Sequence, residues 1–107
     1  MDESRKKAYL ELQKNAKEIL DALDTEKFEL AVLDRLLRER NATFLKLKDV
    51  LNKDSVDAEE ETLMQGMISD NYAILQRIEE KKKEMESALN KKVQEANKIS
   101  KYSHHSG

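Results

Sequence analysis

Cysteine and proline are absent from this 107-residue chain, and glycine is nearly so. Without cysteine there is no disulfide framework and no thiolate chemistry. Without proline, and with Gly66 as the only glycine before Gly107, the chain lacks most of the punctuation that strands and tight turns require. No apolar run has the length of a membrane span or a secretory signal, so we expect a cytoplasmic protein without membrane insertion.

The residues that are present favour helices. Charged side chains make up 39% of the chain and hydrophobic ones 38%, while aromatic residues account for only 5%. Strong helix formers dominate, and this composition is typical of slender helices with narrow apolar faces. We predict an all-α fold, an antiparallel three- to four-helix bundle or hairpin with a long C-terminal helix. Its length suits a single helical domain, over residues 1–102.

No group of residues points to catalysis, a cofactor or a metal site. His104 and His105 are the only histidines, and adjacent residues on a helix face different directions. The run 81–83 consists of three lysines, but the net charge of −2 and the lack of interleaved aromatic residues disfavour nucleic acid as a partner. We therefore predict a protein that is not an enzyme, binds no cofactor and acts by holding another protein.

Two apolar stripes with steps of three and four residues predict helices over about 4–23 and 26–51. Ser4 is a candidate N-cap of the first helix, and Asp24 or Thr25 of the second. One bent helix through residue 51 is the alternative, because no glycine or proline forces a stop. The first stripe contains Tyr9, Leu12, Ala16, Ile19 and Leu23, and the second contains Leu30, Leu33, Leu37, Arg40, Phe44, Leu47 and Leu51.

The third predicted helix, over about 57–101, is the longest. Residues 52–57 carry Asn, Asp and Ser, which favour a turn, and Asp57 with Glu60 resembles a capping box. Its apolar stripe narrows past residue 83, where a break near 87–91 is the alternative to one continuous helix, and 103–107 is expected to be a flexible tail. The stripe runs through Ile68, Asn71, Leu75, Ile78, Lys82, Met85, Leu89, Val93, Ala96 and Ile99, and Leu63, Met64, Met67 and Ile74 widen its first half.

Arg40 interrupts the second apolar stripe and has two interpretations. In one, its aliphatic part packs along the stripe while the guanidinium reaches a neighbouring Glu or water. In the other, it is a buried polar residue that fixes the register of the helices. The first is favoured by sequence alone, and Asn71 in the third stripe is interpreted in the same way.

Three places in the chain resemble the FliT-type flagellar export chaperones, which are small helical proteins of the cytoplasm. They are the short hinge at 23–28, the segment 33–41 followed by Phe44 and Leu47, and the long final helix that ends in Lys98-Ile99-Ser100-Lys101-Tyr102. FlgN-type chaperones of the hook-filament junction proteins look similar at this level. The resemblance covers nearly the whole chain.

The resemblance implies a chaperone that binds the C-terminal helix of the filament-cap protein and delivers it to the export ATPase complex and the export gate. It assigns client binding to the apolar face of the third helix and export-gate docking to Tyr102, which stands where the family has a tyrosine near the end of its last helix. It also implies a regulatory C-terminal arm that folds over the client groove. The implied client-binding residues are Met67, Ile68, Leu75 and Ile78, and those of the arm are Met85, Leu89, Val93 and Ile99.

Two other function classes fit the same pattern. A homodimeric helical hairpin or coiled coil would bury the long third helix against its symmetry mate and would have no client. A surface-binding arm built on the lysines of 81–101 would instead bind vesicles or nucleic acid. A concentration-independent monomer mass would count against the first class, and vesicle or nucleic-acid binding that vanished on neutralising those lysines would support the second.

Overall fold

The computed structural model describes the backbone of residues 1–51 and 56–105 and the side chains of residues 1–48 and 56–98. The described residues form three α-helices and no strand, so the predicted all-α fold is confirmed. The helices are α1 (Glu3–Asp24), α2 (Leu30–Leu51) and α3 (Ala58–His105).

Short polar side chains fix where α1 and α3 begin. The carboxylate of Asp2, rather than the predicted Ser4, caps α1 by accepting the backbone N–H of Ser4 at 3.1 Å. Asp57 caps α3 as predicted, since its Oδ1 accepts the backbone N–H of Glu60 at 2.8 Å. This hydrogen bond is the main reason why the pKa of Asp57 lies below its usual value.

Helix α2 begins later than the sequence indicated. Residues 25–29 lie outside both helices, and the first backbone hydrogen bonds of α2 run from Val32 and Leu33 to the carbonyl of Glu29. The first two helices are therefore separate, and neither Asp24 nor Thr25 is the N-cap of the second. One consequence is that Leu30, placed in the apolar stripe by its spacing, stands on the first turn and is 69% exposed.

Helix α3 is continuous through 87–91, so the alternative with a break there is not observed. It ends at His105, beyond the predicted end and within the segment expected to be a tail. Residues 52–55 and 106–107 lie outside the described part of the chain. The fold divides into two compact units, Met1–Arg77 and Ile78–Gly107.

The first unit holds α1, α2 and the first part of α3 in an up-down-up arrangement. Leu12 of α1 contacts Arg40 of α2, and Asn15, further along α1, contacts Leu36, which lies earlier in α2, so these two helices are antiparallel. Two further contacts tie the start and the middle of α3 to the start and the end of α1. One group of buried core residues comprises Ala8, Tyr9, Leu12 and Leu47, with Met1, Phe44, Leu63, Met64 and Met67 packed against it.

As far as the structure describes it, the second unit contains the remainder of α3 and no other helix. Its described side chains from 82 to 98 are all exposed. Among them are the apolar side chains of Met85, Leu89 and Val93, each about half exposed or more. At steps of four residues, these three lie on one side of the helix.

Candidate binding face and the polar contacts behind it

A buried arginine joins all three helices of the first unit. Arg40 of α2 is 5% exposed, and its Nη1 donates to the carbonyl of Leu12 at 2.9 Å and to Oδ1 of Asn15 at 3.2 Å. Its Nη2 donates to Oδ1 of Asn71 on α3 at 2.7 Å. The guanidinium also lies over the ring of Phe44, 5.1 Å from its centroid. These contacts fix α2 against α1 and α3 at one level.

The favoured interpretation of Arg40 from sequence was therefore wrong. Its guanidinium is buried and donates to neutral acceptors inside the unit rather than to a surface carboxylate. Burial lowers the pKa of Arg40, an effect that the nearby carboxylate of Asp70 partly opposes. Asn15 completes the arrangement, since its Nδ2 donates to the carbonyl of Leu36 at 2.9 Å. The network is thus a polar layer across the bundle.

A second polar contact joins α1 to α3 near the first turns of both helices. Glu60 of α3 is 1% exposed and forms a buried ion pair with Arg5 of α1 through both carboxylate oxygens. The hydroxyl of Tyr9 donates to the same carboxylate at 3.3 Å. In a capping box, the side chain of Glu60 would turn back to its own helix end. It reaches across to α1 instead.

Tyr9 gives a pH-dependent signature of this contact. Burial, and then the adjacent Glu60 carboxylate, raise the pKa of Tyr9 to about 12. Because the raised value favours the neutral phenol in the folded state, this stabilisation is complete below about pH 10 and is lost as the pH rises from about 10 to about 12. We expect the urea-derived free energy of unfolding to fall less steeply over that range in Tyr9→Phe. Equal slopes in both proteins would contradict the assignment.

Helix α3 carries an exposed apolar stripe within the first unit. Ile68, Tyr72 and Leu75 follow steps of four and three and are 46%, 72% and 62% exposed. Gly66 and Asp70, which lie roughly opposite them on the helix, line a cleft with α1. The stripe therefore faces away from α1, on the flank of α3 that borders α2.

Helix α2 presents two leucines on the same side of the unit. Its cleft with α1 is lined by Glu39 and Thr43, so the opposite flank faces away from α1. That flank carries Leu37, Asn41 and Leu45 at steps of four. Leu37 is partly buried and Leu45 is 63% exposed, with the exposed amide of Asn41 between them. The flank is therefore apolar at its two ends and polar in its middle.

The two flanks border one surface. Arg40 and Asn71 join α2 to α3 at this level, so the flank of α2 and the stripe of α3 belong to neighbouring helices. Most of the exposed apolar area belongs to α3, and α2 supplies the border. We call this surface the α2–α3 face, and its members are Leu37, Asn41, Leu45, Ile68, Tyr72 and Leu75.

The residues implied as client contacts fall in three different settings. Ile68 and Leu75 lie on the α2–α3 face. Met67 packs against the core group that includes Tyr9 and Leu12, and Ile78, partly buried, begins the second unit. Tyr72 was missed by the sequence analysis, although its spacing from Ile68 and Leu75 was a usable signal.

The residues implied for the C-terminal arm and for export-gate docking lie in the second unit or at its end. Met85, Leu89 and Val93 are exposed there, and their regulatory role stays a prediction. The side chains of Ile99 and Tyr102 lie outside the described residues.

Comparisons with known proteins found no match to this chain among protein-family models, curated proteins or solved structures. Within the described residues, no three or more histidine, cysteine, aspartate or glutamate side chains are placed to hold a metal ion. None of the helices described has the length and apolarity that crossing a membrane would take.

Proposed function

We propose that this protein is a cytoplasmic flagellar export chaperone that binds the C-terminal helix of the filament-cap protein and brings it to the export ATPase complex and the export gate. The observation that carries the proposal is the α2–α3 face. The identity of the client rests on the resemblance of the hinge, the 33–41 segment and the final helix to FliT-type chaperones.

The α2–α3 face has the form that helix-in-groove recognition requires. An amphipathic helix presents apolar side chains at steps of three and four, and a stripe with the same periodicity can receive them. Ile68, Tyr72 and Leu75 supply that stripe, and Leu37 and Leu45 border it from α2. Tyrosine is also a residue type enriched at binding hot spots. A client helix placed there would complete a four-helix bundle with α1, α2 and the first part of α3.

A charge placed on the face should strongly weaken client binding. In Leu75→Glu or Ile68→Glu, a carboxylate would have to be desolvated against the apolar side of the client, so we expect affinity to fall by roughly a hundredfold, about 2.7 kcal/mol. Isothermal titration of the full chain with the C-terminal segment of the filament-cap protein from the same organism measures this. Both positions are exposed, so the fold should tolerate the changes.

Leu10→Glu is the matched control. Leu10 is an exposed leucine of α1, 49% accessible, and it lines the cleft with Gly66 and Asp70 on the opposite side of α3. The affinity of the Leu10→Glu variant for the client segment should match that of the unmodified protein, and its helical circular dichroism should be unchanged. Equal losses in Leu10→Glu and Leu75→Glu would contradict a role for the α2–α3 face. A chain that binds neither this segment nor a hook-junction protein, and whose mass rises with concentration, would indicate the structural homodimer instead.

A further inference from the structure

One polar residue interrupts the apolar part of α3 where it borders α2. Asn71 is partly buried, with Ile68 three residues before it and Leu75 four residues after it, so all three share one side of the helix. Its Oδ1 accepts from Arg40 at 2.7 Å. This places a side-chain amide beside the α2–α3 face.

The orientation of that amide follows from its partner. A guanidinium has only donors, so the oxygen of Asn71 must face Arg40 and its NH₂ group must point away. No buried side-chain nitrogen or oxygen among the described residues lacks a hydrogen-bond partner, and Asn71 makes one such bond, through its oxygen. The Nδ2 group therefore remains accessible at the surface. Because the amide is hydrogen-bonded to a cation, Nδ2 is a strengthened donor.

We propose that Asn71 is a specificity-determining residue of the α2–α3 face, which selects a partner helix that carries a carboxylate or amide oxygen within its apolar side. This inference rests on the proposed function. The partner oxygen would accept from Nδ2 of Asn71, and the positive charge of Arg40 behind it favours glutamate or aspartate over glutamine. Asp70 lies near Arg40, and its carboxylate partly offsets that preference.

The face has a second amide, at Asn41 of α2, which differs from Asn71 in its setting. Asn41 is exposed, whereas Asn71 is partly buried and held by the guanidinium of Arg40. An exposed amide keeps its water when the partner offers no oxygen, so it discriminates little between partners. An amide that is partly buried and fixed in orientation loses its water when a partner helix covers it, so a partner without an oxygen leaves its NH₂ group unpaired. The selection is therefore assigned to Asn71.

The chemistry also explains what such a contact would do. A single polar pair within an apolar interface fixes the register and the direction of the bound helix, because any shift leaves both groups desolvated and unpaired. The face would then reject amphipathic helices that are purely apolar on one side, although their contact with Ile68 and Leu75 would be as extensive. Specificity and affinity would come from different residues.

Asn71→Asp tests the proposal without removing the acceptor of Arg40. The substitution keeps an oxygen facing the guanidinium but replaces the outward NH₂ donor with a second acceptor. The probe is the C-terminal segment of the filament-cap protein, prepared as peptides with Leu, Gln or Glu at one apolar-side position at a time. For the unmodified chain we expect one position at which Gln or Glu binds about tenfold tighter than Leu. In Asn71→Asp that preference should vanish, with Glu bound least well.

A matched control makes the same amide-to-carboxylate change at an exposed position outside the α2–α3 face. Gln76→Glu lies on α3 and should keep the preference for Gln over Leu. If the unmodified chain binds the peptides but prefers Leu at every position, the role of Asn71 is refuted while the proposed function stands. The role is equally refuted if Asn71→Asp retains the preference. If the unmodified chain binds no peptide of the series, the proposed function fails, and the inference fails with it.

Discussion

Arg40→Ala should destabilise the protein by about 3 kcal/mol, a large share of the roughly 5–15 kcal/mol typical of a folded domain. The substitution leaves Oδ1 of Asn15 and Oδ1 of Asn71 without their donor and opens a void beside Phe44. Urea unfolding followed by tyrosine fluorescence gives the free energy of unfolding for comparison with the unmodified chain.

Arg38→Ala is the matched control for this measurement. Arg38 lies on the same helix and pairs with Asp34 at 3.1 Å, but its side chain is 81% exposed. Exposed pairs of this kind contribute little, so the change should stay within about 0.5 kcal/mol. Similar losses for Arg38→Ala and Arg40→Ala would show that the buried polar layer contributes nothing special to stability.

Glu60→Leu should cost a comparable amount for a different reason. Removal of the carboxylate leaves the cation of Arg5, which is 6% exposed, facing an apolar side chain. Breaking a buried ion pair on one side typically destabilises by about 3–5 kcal/mol, because the remaining charge is still desolvated. The same urea titration measures the effect. Glu59→Leu makes an identical change at an exposed neighbour that pairs with Lys6, and it should cost less than about 1 kcal/mol.

The double variant Arg5→Leu/Glu60→Leu separates charge from packing. With both ions replaced by apolar side chains, most of the lost stability should return, although Tyr9 still loses its acceptor. A double variant as unstable as Glu60→Leu would show that the ion pair itself is net stabilising. Recovery would instead show that this contact specifies how α1 meets α3 more than it stabilises the fold.

The sequence located a helix end correctly where that end is determined by residues close to it in the chain. Asp57 was recognisable as an N-cap because the residue it bonds, Glu60, lies three positions away. The start of α2 was misjudged because a period of three and four residues continues backwards through Leu30 whether or not the backbone is helical. Periodicity records which side chains could share a face, and it does not record where a helix begins.

The buried polar contacts could not be predicted from local sequence patterns, because the residues that form them are distant in sequence. Arg40 meets Leu12 and Asn71 only after two helices have packed, and Glu60 meets Arg5 across 55 positions. The α2–α3 face could be predicted only in part. Neighbouring residues on a helix differ by about 100° in direction, so the broad stripe included both Ile74 and Leu75. Ile74 turned out to be buried and Leu75 exposed, a choice made by the position of the other helices.

The division of α3 between two compact units affects what different spectroscopic probes will report. In Met1–Arg77 the helices share a core and should melt together, whereas Ile78–Gly107 contains one helical segment whose loss should be gradual. Far-ultraviolet circular dichroism sums both parts, but the environment of Tyr9 reports only the first. The melting curve from far-ultraviolet circular dichroism and the curve that follows Tyr9 should therefore not superimpose. A single two-state fit to the circular dichroism curve would blend a cooperative transition with a helix–coil transition and understate the steepness of the first.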